Sequence, residues 1–307
     1  INYPTATVAN AGTDQTNSAT CGLTSVTLNG NNATVGTGAW SIVSGTGGTI
    51  TSPSTRNTTF SGAAGSTYTL RWTITNGVCS SADDVVITFN QNPTVSNAGS
   101  DQTGVSTCGL TSVTLAGNTP TVGTGAWSIV SGTGGTIAST SSPTSTFTGT
   151  AGSTYTLRWT ISNTPCTAST DDVVITFNHN PTITVISSPL ALCPGGSLNP
   201  SLPTVTNNGS AVSASGWEIS TTSGGSTYTA LSLPYTVAYA DNGKNIRYYA
   251  TNGCGRTDSN VVAITVNPLP GTPTVTAGTD PTCSSFLANW TAAPNATGYY
   301  LDVSTVN

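Results

Sequence analysis

The chain repeats itself, and that repetition limits what it can fold into more than any other feature. "NAGTDQT" beginning at Asn10 returns as "NAGSDQT" at Asn97, and "TCGLTSVTL" at 20–28 returns unchanged at 107–115. "VGTGAWSIVSGTGGTI" at 35–50 returns at 122–137, and "AGSTYTLRWTI" at 64–74 returns at 151–161. The offset is 87 residues in each case and becomes 88 at "DDVVITFN", 83–90 and 171–178, so the second copy carries one extra residue in the preceding turn. Tandem copies of this kind fold as an array of like modules, each burying its own core.

Within a copy the hydrophobic period is two. Tyr68, Leu70, Trp72 and Ile74 share one face of "TYTLRWTIT", and Val85, Ile87 and Phe89 share one face of the last segment. Val26 with Leu28, and Val113 with Leu115, alternate in the same way with Ser and Thr. The pattern predicts strands near 5–9, 24–29, 38–43, 56–60, 67–75 and 84–90, separated by turns such as "NG" at Asn29 and Asn76 and the Gly-rich "SGTGG". Short antiparallel strands with one dry face make a two-sheet sandwich, and nothing in the chain has helical periodicity of useful length. The regular alternation and the six Trp exclude a disordered chain.

Composition narrows the function. Charged residues are 6% of the 307, against about 25% in ordinary soluble proteins. There is one His, one Glu and one Lys, which leaves little material for acid–base or nucleophilic catalysis. Six basic residues and a net charge of -5 cannot neutralise a phosphate backbone, so no nucleic-acid partner is expected. No apolar run reaches the roughly 20 residues needed to span a bilayer, so no membrane insertion is expected in this segment. The chain begins at Ile1 without Met and without a signal-peptide pattern, as an internal piece of a longer protein would.

Prolines at Pro93, Pro181 and Pro268 mark short, stiff joints. They divide the chain into the tail of a preceding module (1–8), repeat 1 (9–92), repeat 2 (93–180), a diverged third module (181–268) and the opening of a fourth (269–307). "NAGSDQT" followed by a strand, "YTLRWTITNG" and "DDVVITFN" resemble the PKD-like Ig repeats of large secreted Bacteroidota proteins. "LCPGGS" with "YYATNGCGRTDSNVVAITVNP" resembles the Ig-like modules that accompany them, and "FLANWTAAPNATGYYLDVSTVN" resembles the first strands of a bacterial fibronectin type III domain.

The resemblance covers nearly the whole chain. It implies an all-β fold: a tandem array of Ig-like (PKD-like) β-sandwiches ending in a truncated fibronectin type III-like domain. It also implies an extracellular, cell-surface location, export by type IX secretion, and a non-catalytic stalk of a large adhesin or filament serving adhesion or gliding motility. The expected partners are neighbouring modules of the same chain, with surface glycans or other surface proteins as ligands. Spacer modules of a secreted hydrolase, or a carbohydrate-binding module, are the alternatives.

Candidate chemistry is sparse. His179 lies in the joint "FNHNPT", where repeat 1 has Gln91, and reads as a polar linker residue. Asp83 and Asp84, with Asp171 and Asp172, read as turn formers opening the last strand. Together with Asp14 and Asp101 they are also the candidate ligands for Ca²⁺, which takes several carboxylate and carbonyl oxygens. No other cofactor and no catalytic residue is indicated. Arg71 and Arg158 are expected to face outward among threonines, on a strand face that could meet a glycan, while Trp40, Trp72, Trp127 and Trp159 are expected in the core. Neither repeat contains Lys, so an isopeptide crosslink is excluded there.

Seven cysteines remain. One pairing closes each module on itself: Cys21 with Cys79 and Cys108 with Cys166, both 58 apart, and Cys193 with Cys254, 61 apart, leaving Cys283. Strand direction in an Ig-like sandwich favours another. A cysteine ahead of the second strand and one after the sixth stand at opposite ends of the module. Strands of that length separate the ends by about 25 Å, whereas a disulfide needs Cα atoms within about 7 Å. The favoured bonds therefore join neighbours, Cys21 to Cys166 and Cys108 to Cys254, with Cys79, Cys193 and Cys283 waiting for cysteines outside this segment.

Overall fold

The computed structural model describes residues 5–187, 190–279, 281–282 and 284–303. Among them the only helices are three short 3-10 turns, and everything else that is regular is strand. The chain divides into two compact units, Ile1–Phe177 and Asn178–Asn307.

The first unit holds two sandwiches of the same topology. In repeat 1 the strands are β1 (Ser25–Thr27), β2 (Thr37–Ser44), β3 (Thr49–Ile50), β4 (Thr59–Ser61), β5 (Thr67–Asn76) and β6 (Cys79–Thr88). They form two antiparallel sheets, β1-β4-β3 and β2-β5-β6. In repeat 2, β7 (Ser112–Thr114), β8 (Thr124–Ser131), β9 (Thr136–Ile137), β10 (Thr146–Thr148), β11 (Thr154–Asn163) and β12 (Cys166–Thr176) do the same, as β7-β10-β9 and β8-β11-β12.

The alternation that predicted the strands also fills the cores. Tyr68, Leu70, Trp72 and Ile74 face Phe60, Val85, Ile87 and Phe89, and all are buried. Trp40 lies opposite Trp72 in the β2–β5 register, with ring centroids 5.1 Å apart. Repeat 2 has an equivalent and separate core around Trp127, Tyr155 and Trp159. Fully burying one such aromatic or aliphatic side chain contributes about 1.5–3 kcal/mol.

The buried tyrosines also fix a corner. The Tyr68 hydroxyl accepts from the Ala63 N–H at 2.9 Å and donates to the Thr46 carbonyl at 3.1 Å, and Tyr155 repeats this with Thr150 and Thr133. A tyrosine at the start of this strand bonding backbone a few residues upstream is a device of Ig sandwiches.

Two expected strands differ from the sequence reading. Residues 5–9 form no strand; instead the N-terminal segment touches β6 lower down, where Gln15 bridges Ile87 in parallel. The last strand starts at Cys79 rather than at 84, because backbone pairing with β5 runs unbroken from Asn76↔Cys79 to Thr67↔Thr88. Asp83 and Asp84 therefore lie in mid-strand, not at a turn; the same correction applies to Asp171 and Asp172 in β12, and the extra residue of repeat 2 lies within β12, where the register with β11 shifts, not in the turn.

The second unit carries the third module. Its strands are β13 (Thr182–Ile183), β14 (Leu190–Leu192), β15 (Ser197–Leu198), β16 (Val205–Thr206), β17 (Val212–Ser223), β18 (Tyr228–Leu231), β19 (Tyr235–Thr236), β20 (Lys244–Asn252), β21 (Gly255–Asp258) and β22 (Val262–Val266). The main sheet runs β14-β22-β20-β17-β18, with β14 parallel to β22 and β21 also paired to β20. Trp217, Ile219, Ile246, Tyr248, Val262 and Ile264 build its core. Residues beyond it contribute one hairpin, β23 (Val275–Thr279) with β24 (Leu287–Trp290).

Candidate functional site: a stitched and disulfide-clamped joint

The chemistry-bearing residues of the repeats gather along two lines: where the N-terminal segment lies against the last strand, and where one repeat meets the next. Along the first line, the Ala9 N–H donates to Ser81 Oγ at 2.9 Å and the buried Ala11 N–H donates to Asp83 Oδ2 at 2.8 Å. The Val86 N–H donates to Asp14 Oδ1 at 2.9 Å, and Gln15 exchanges backbone bonds with Val86 and Thr88. Repeat 2 reproduces the set: Ser96 on Ser169, Ala98 on Asp171 at 2.7 Å, Val174 on Asp101 at 2.8 Å. In the third module Asn260 takes the place of the aspartate, bonding both the N–H and the carbonyl of Ile186. These side chains stitch an irregular segment onto a strand edge whose backbone groups would otherwise lack partners.

Asp84 and Asp172 do something else. Each turns to the outer face and makes a two-pronged ion pair, Asp84 with Arg71 at 2.7 and 2.8 Å and Asp172 with Arg158 at 2.7 and 2.9 Å. The hydrogen bond from the guanidinium holds each carboxyl below the usual carboxylate range. Arg71 and Arg158 do face outward, each tied to its aspartate.

The six candidate Ca²⁺ ligands therefore divide into four backbone fasteners and two partners of arginine. Among the described residues no three His, Cys, Asp or Glu side chains come together in a group able to hold a metal ion. The structure thus separates Asp14, Asp83, Asp84, Asp101, Asp171 and Asp172 instead of assembling them. His179 is exposed, and what it contributes is its backbone: the N–H donates to the Asn208 carbonyl at 3.0 Å and its own carbonyl accepts from Asn252.

Along the second line lies the joint between the repeats. A 3-10 turn, Ser18–Thr20, is capped by the Asn17 side chain and delivers Cys21 to the end of repeat 1. Asn90 holds this turn, its amide donating to the carbonyls of Thr16 and Asn17 and to Thr20 Oγ1. Gly22 adopts φ +75°, and a Cβ there would meet the Asn92 amide nitrogen at 2.6 Å. From the other side, the β11–β12 hairpin of repeat 2 brings Cys166 to the same place, as the first residue of β12.

Cys21 and Cys166 form a disulfide with Cα atoms 5.6 Å apart. Beside it the Asn163 side chain, the last residue of β11, donates to the Gln91 carbonyl at 2.7 Å and so hooks the connecting peptide. Asn252, the last residue of β20, hooks His179 at 2.8 Å in the third module.

Cys108 and Cys254 are disulfide-bonded residues, whereas Cys79 and Cys193 carry free thiols. Cys283 lies outside the described residues. The asparagine hook and the inward aspartates were absent from the sequence reading. Superposing "ITNG", "ISNT" and "ATNG" would have exposed a shared asparagine ending β5, β11 and β20 of the three modules.

The third module bears one further polar cluster, on the outer face of its main sheet. Glu218 and Asp258 each pair with both Arg247 and Arg256, at 2.7–2.9 Å. The two guanidinium groups lie over Tyr228 and Tyr249 at 3.8 and 4.2 Å. All four charges are mutually neutralised, so the cluster is a cross-strand brace.

No family profile and no curated protein sequence matches the chain. Solved structures do. A three-Ig structure of an E-to-A variant of titin domains matches at 10% identity and a TM-score of 0.46, over 87% of this chain and 99% of that one. The complex of Dpr2 Ig1-Ig2 with DIP-Theta Ig1-Ig3 matches at 14% and 0.43, over 85% and 100%. The insect immune protein hemolin matches at 13% and 0.37, over 85% and 76%. On its own strand order and separate cores, this chain is an all-β tandem array of β-sandwich domains.

Proposed function

We propose that this chain is a non-catalytic, load-bearing segment of a large extracellular protein, the stalk of a bacterial surface adhesin or filament serving adhesion or gliding motility. The observation that carries the reading is the covalent bond between successive repeats, Cys21 to Cys166. A disulfide that leaves each sandwich core untouched and ties neighbours together adds nothing to an active site. What it adds is resistance to separation at the joint. Disulfides persist in oxidising, extracytoplasmic compartments, which supports export, and the resemblance of "NAGSDQT", "YTLRWTITNG" and "DDVVITFN" to repeats of Bacteroidota adhesins supports the finer assignment.

On sequence equivalence, the same clamp is extended to Cys108 with Cys254, and Cys79, Cys193 and Cys283 are read as half-clamps for cysteines outside this segment. The module boundaries 9–92, 93–180, 181–268 and 269–307 belong to the same reading. The partners are then neighbouring modules, together with whatever surface glycan or protein the whole molecule meets.

The test is surface biotinylation of intact cells that make the protein, followed by peptide mapping without reductant. The expected result is a labelled chain that yields the Cys21 peptide linked to the Cys166 peptide. An unlabelled chain with reduced cysteines would sink the reading, and a hydrolase domain in the same labelled polypeptide would replace it with a spacer role.

A further inference from the structure

We infer that the Cys21–Cys166 bond takes residues 22–165, the greater part of both repeats, out of the line of tension and so caps how far the pair can lengthen along the chain. Followed covalently from the N-terminal side, a pull travels down the segment stitched to β6, reaches Cys21, crosses the bond to Cys166, and leaves along β12. Residues 22–165, with most of both sandwiches and the connecting peptide, form a side loop to that path. The bond joins residues 145 apart in sequence, so it replaces about 500 Å of stretched chain, at roughly 3.3–3.6 Å per residue, with a Cα separation of 5.6 Å.

Of the two loaded segments, one has little length to give and the other is short and irregular. β12 is a strand throughout, from Cys166 to Thr176, and a strand already rises about 3.2–3.4 Å per residue, close to the limit of the backbone. Since the force enters at its first residue and leaves at its end, β12 is held taut instead of being peeled off β11. In repeat 1 the loaded segment lies beside β6, held by the bonds of Ala9, Ala11 and Gln15 and by Asp14.

Without the disulfide the same pull would shear the Gln15–Ile87 contact, because the force would then leave through the far end of β6. Once those few hydrogen bonds failed, the sandwich would open. The inference rests on the load-bearing reading for its purpose, but it concerns only the covalent path of the folded chain.

Single-molecule force spectroscopy on the full chain tests it, with azide-bearing side chains introduced at the exposed positions Thr5 and His179 as handles. The oxidised chain should extend to about 100 Å between handles and no further, the stretched length of residues 5–21 plus 166–179. The Cys21→Ser/Cys166→Ser variant, and the folded wild-type chain reduced in the tether, should each lengthen by a further ~500 Å in total. The reduced wild type covers the case in which the double variant folds poorly.

An oxidised chain that lengthens by hundreds of ångströms would overturn the inference. So would reduced and variant chains that stay short until the handles rupture, since the stitching alone would then carry the load. A cytosolic, reduced protein would sink the stalk reading without altering these lengths in the oxidised chain, so the two failures are distinguishable.

Discussion

Replacing Asp83 with alanine should destabilise repeat 1 by about 1.5–3 kcal/mol, the range for a hydrogen bond to a charged group, while replacing its neighbour Asp84 should leave stability indistinguishable from wild type. The two carboxylates are adjacent in sequence and opposite in placement. Asp83 Oδ2 accepts from the Ala11 N–H at 2.8 Å, and Ala11 is only 2% exposed, so on loss of the carboxylate that amide has no water to turn to. Asp84 has two charge-assisted contacts, to Arg71 at 2.7 and 2.8 Å, but both side chains are about two-fifths solvent-exposed. Exposed ion pairs exchange one well-solvated state for another, and most contribute little.

Equilibrium urea unfolding of the chain, followed by tryptophan fluorescence, reads the difference. With a urea dependence of about 1–3 kcal/mol per molar, the Asp83→Ala midpoint should fall by about 1 M. Repeat 2 is the internal control, because Asp171 holds the Ala98 N–H at 2.7 Å in the same way. Asp171→Ala should lower the transition of repeat 2 by a similar amount and leave that of repeat 1 nearly in place. The shifts should be the same with calcium and with chelator, since the carboxylate acts on a backbone amide. An Asp83→Ala midpoint equal to wild type would refute the fastening role. An Asp84→Ala shift as large as that of Asp83→Ala would refute the use of burial to rank the two.

Asn163→Ala removes the hook on the Gln91 carbonyl without touching either core; hydrogen exchange at residues 90–95 should accelerate while the unfolding midpoint moves little. Tyr68→Phe leaves the Ala63 N–H and Thr46 carbonyl without their shared hydroxyl, and should cost repeat 1 about 1–3 kcal/mol in the same urea assay. For Glu218, burial pushes the pKa up, but the hydrogen bonds from Arg256 and Arg247 outweigh it and hold the folded-state value below the ordinary one. Its stabilising contribution is therefore present above the unfolded carboxylate pKa and is lost as pH falls through the depressed folded value. Thermal unfolding of the third module, scanned from about pH 6 to about pH 3, should show a steeper acid loss than in Glu218→Gln, and parallel curves would contradict this.

What the sequence made legible was whatever burial enforces. The period of two in "TYTLRWTIT" follows from one wet and one dry face, and it placed Tyr68, Leu70, Trp72 and Ile74 in the core, where they are found. What it hid was structure made by backbone pairing alone. The first half of β6, "CSSADD", has no large apolar residue until Val85, yet it is strand because β5 offers a complete ladder opposite it. An aspartate in such a stretch looks like a turn former, and only the register shows that Asp83 points toward the N-terminal segment while Asp84 points away. The hydroxyl work of Tyr68 was hidden for a related reason: alternation identifies a buried ring without showing which carbonyl passes above it.

The scarcity of charge then acquires a structural meaning. Repeats 1 and 2 contain six acidic residues; four bind backbone amides and two bind arginines. All four amide-binding aspartates act where a repeat's N-terminal segment meets its last strand; on the proposed covalent path only the repeat 1 pair, Asp14 and Asp83, would lie under load. Cys21 ends that segment and Cys166 begins the last strand of the next repeat. On that proposal the repeat 1 stitches and the covalent clamp protect the same contact: Asp14 and Asp83 would resist small loads reversibly, and the disulfide would limit how far the segment can move once they yield. In the repeats each of these carboxylates is engaged with a backbone amide or an arginine.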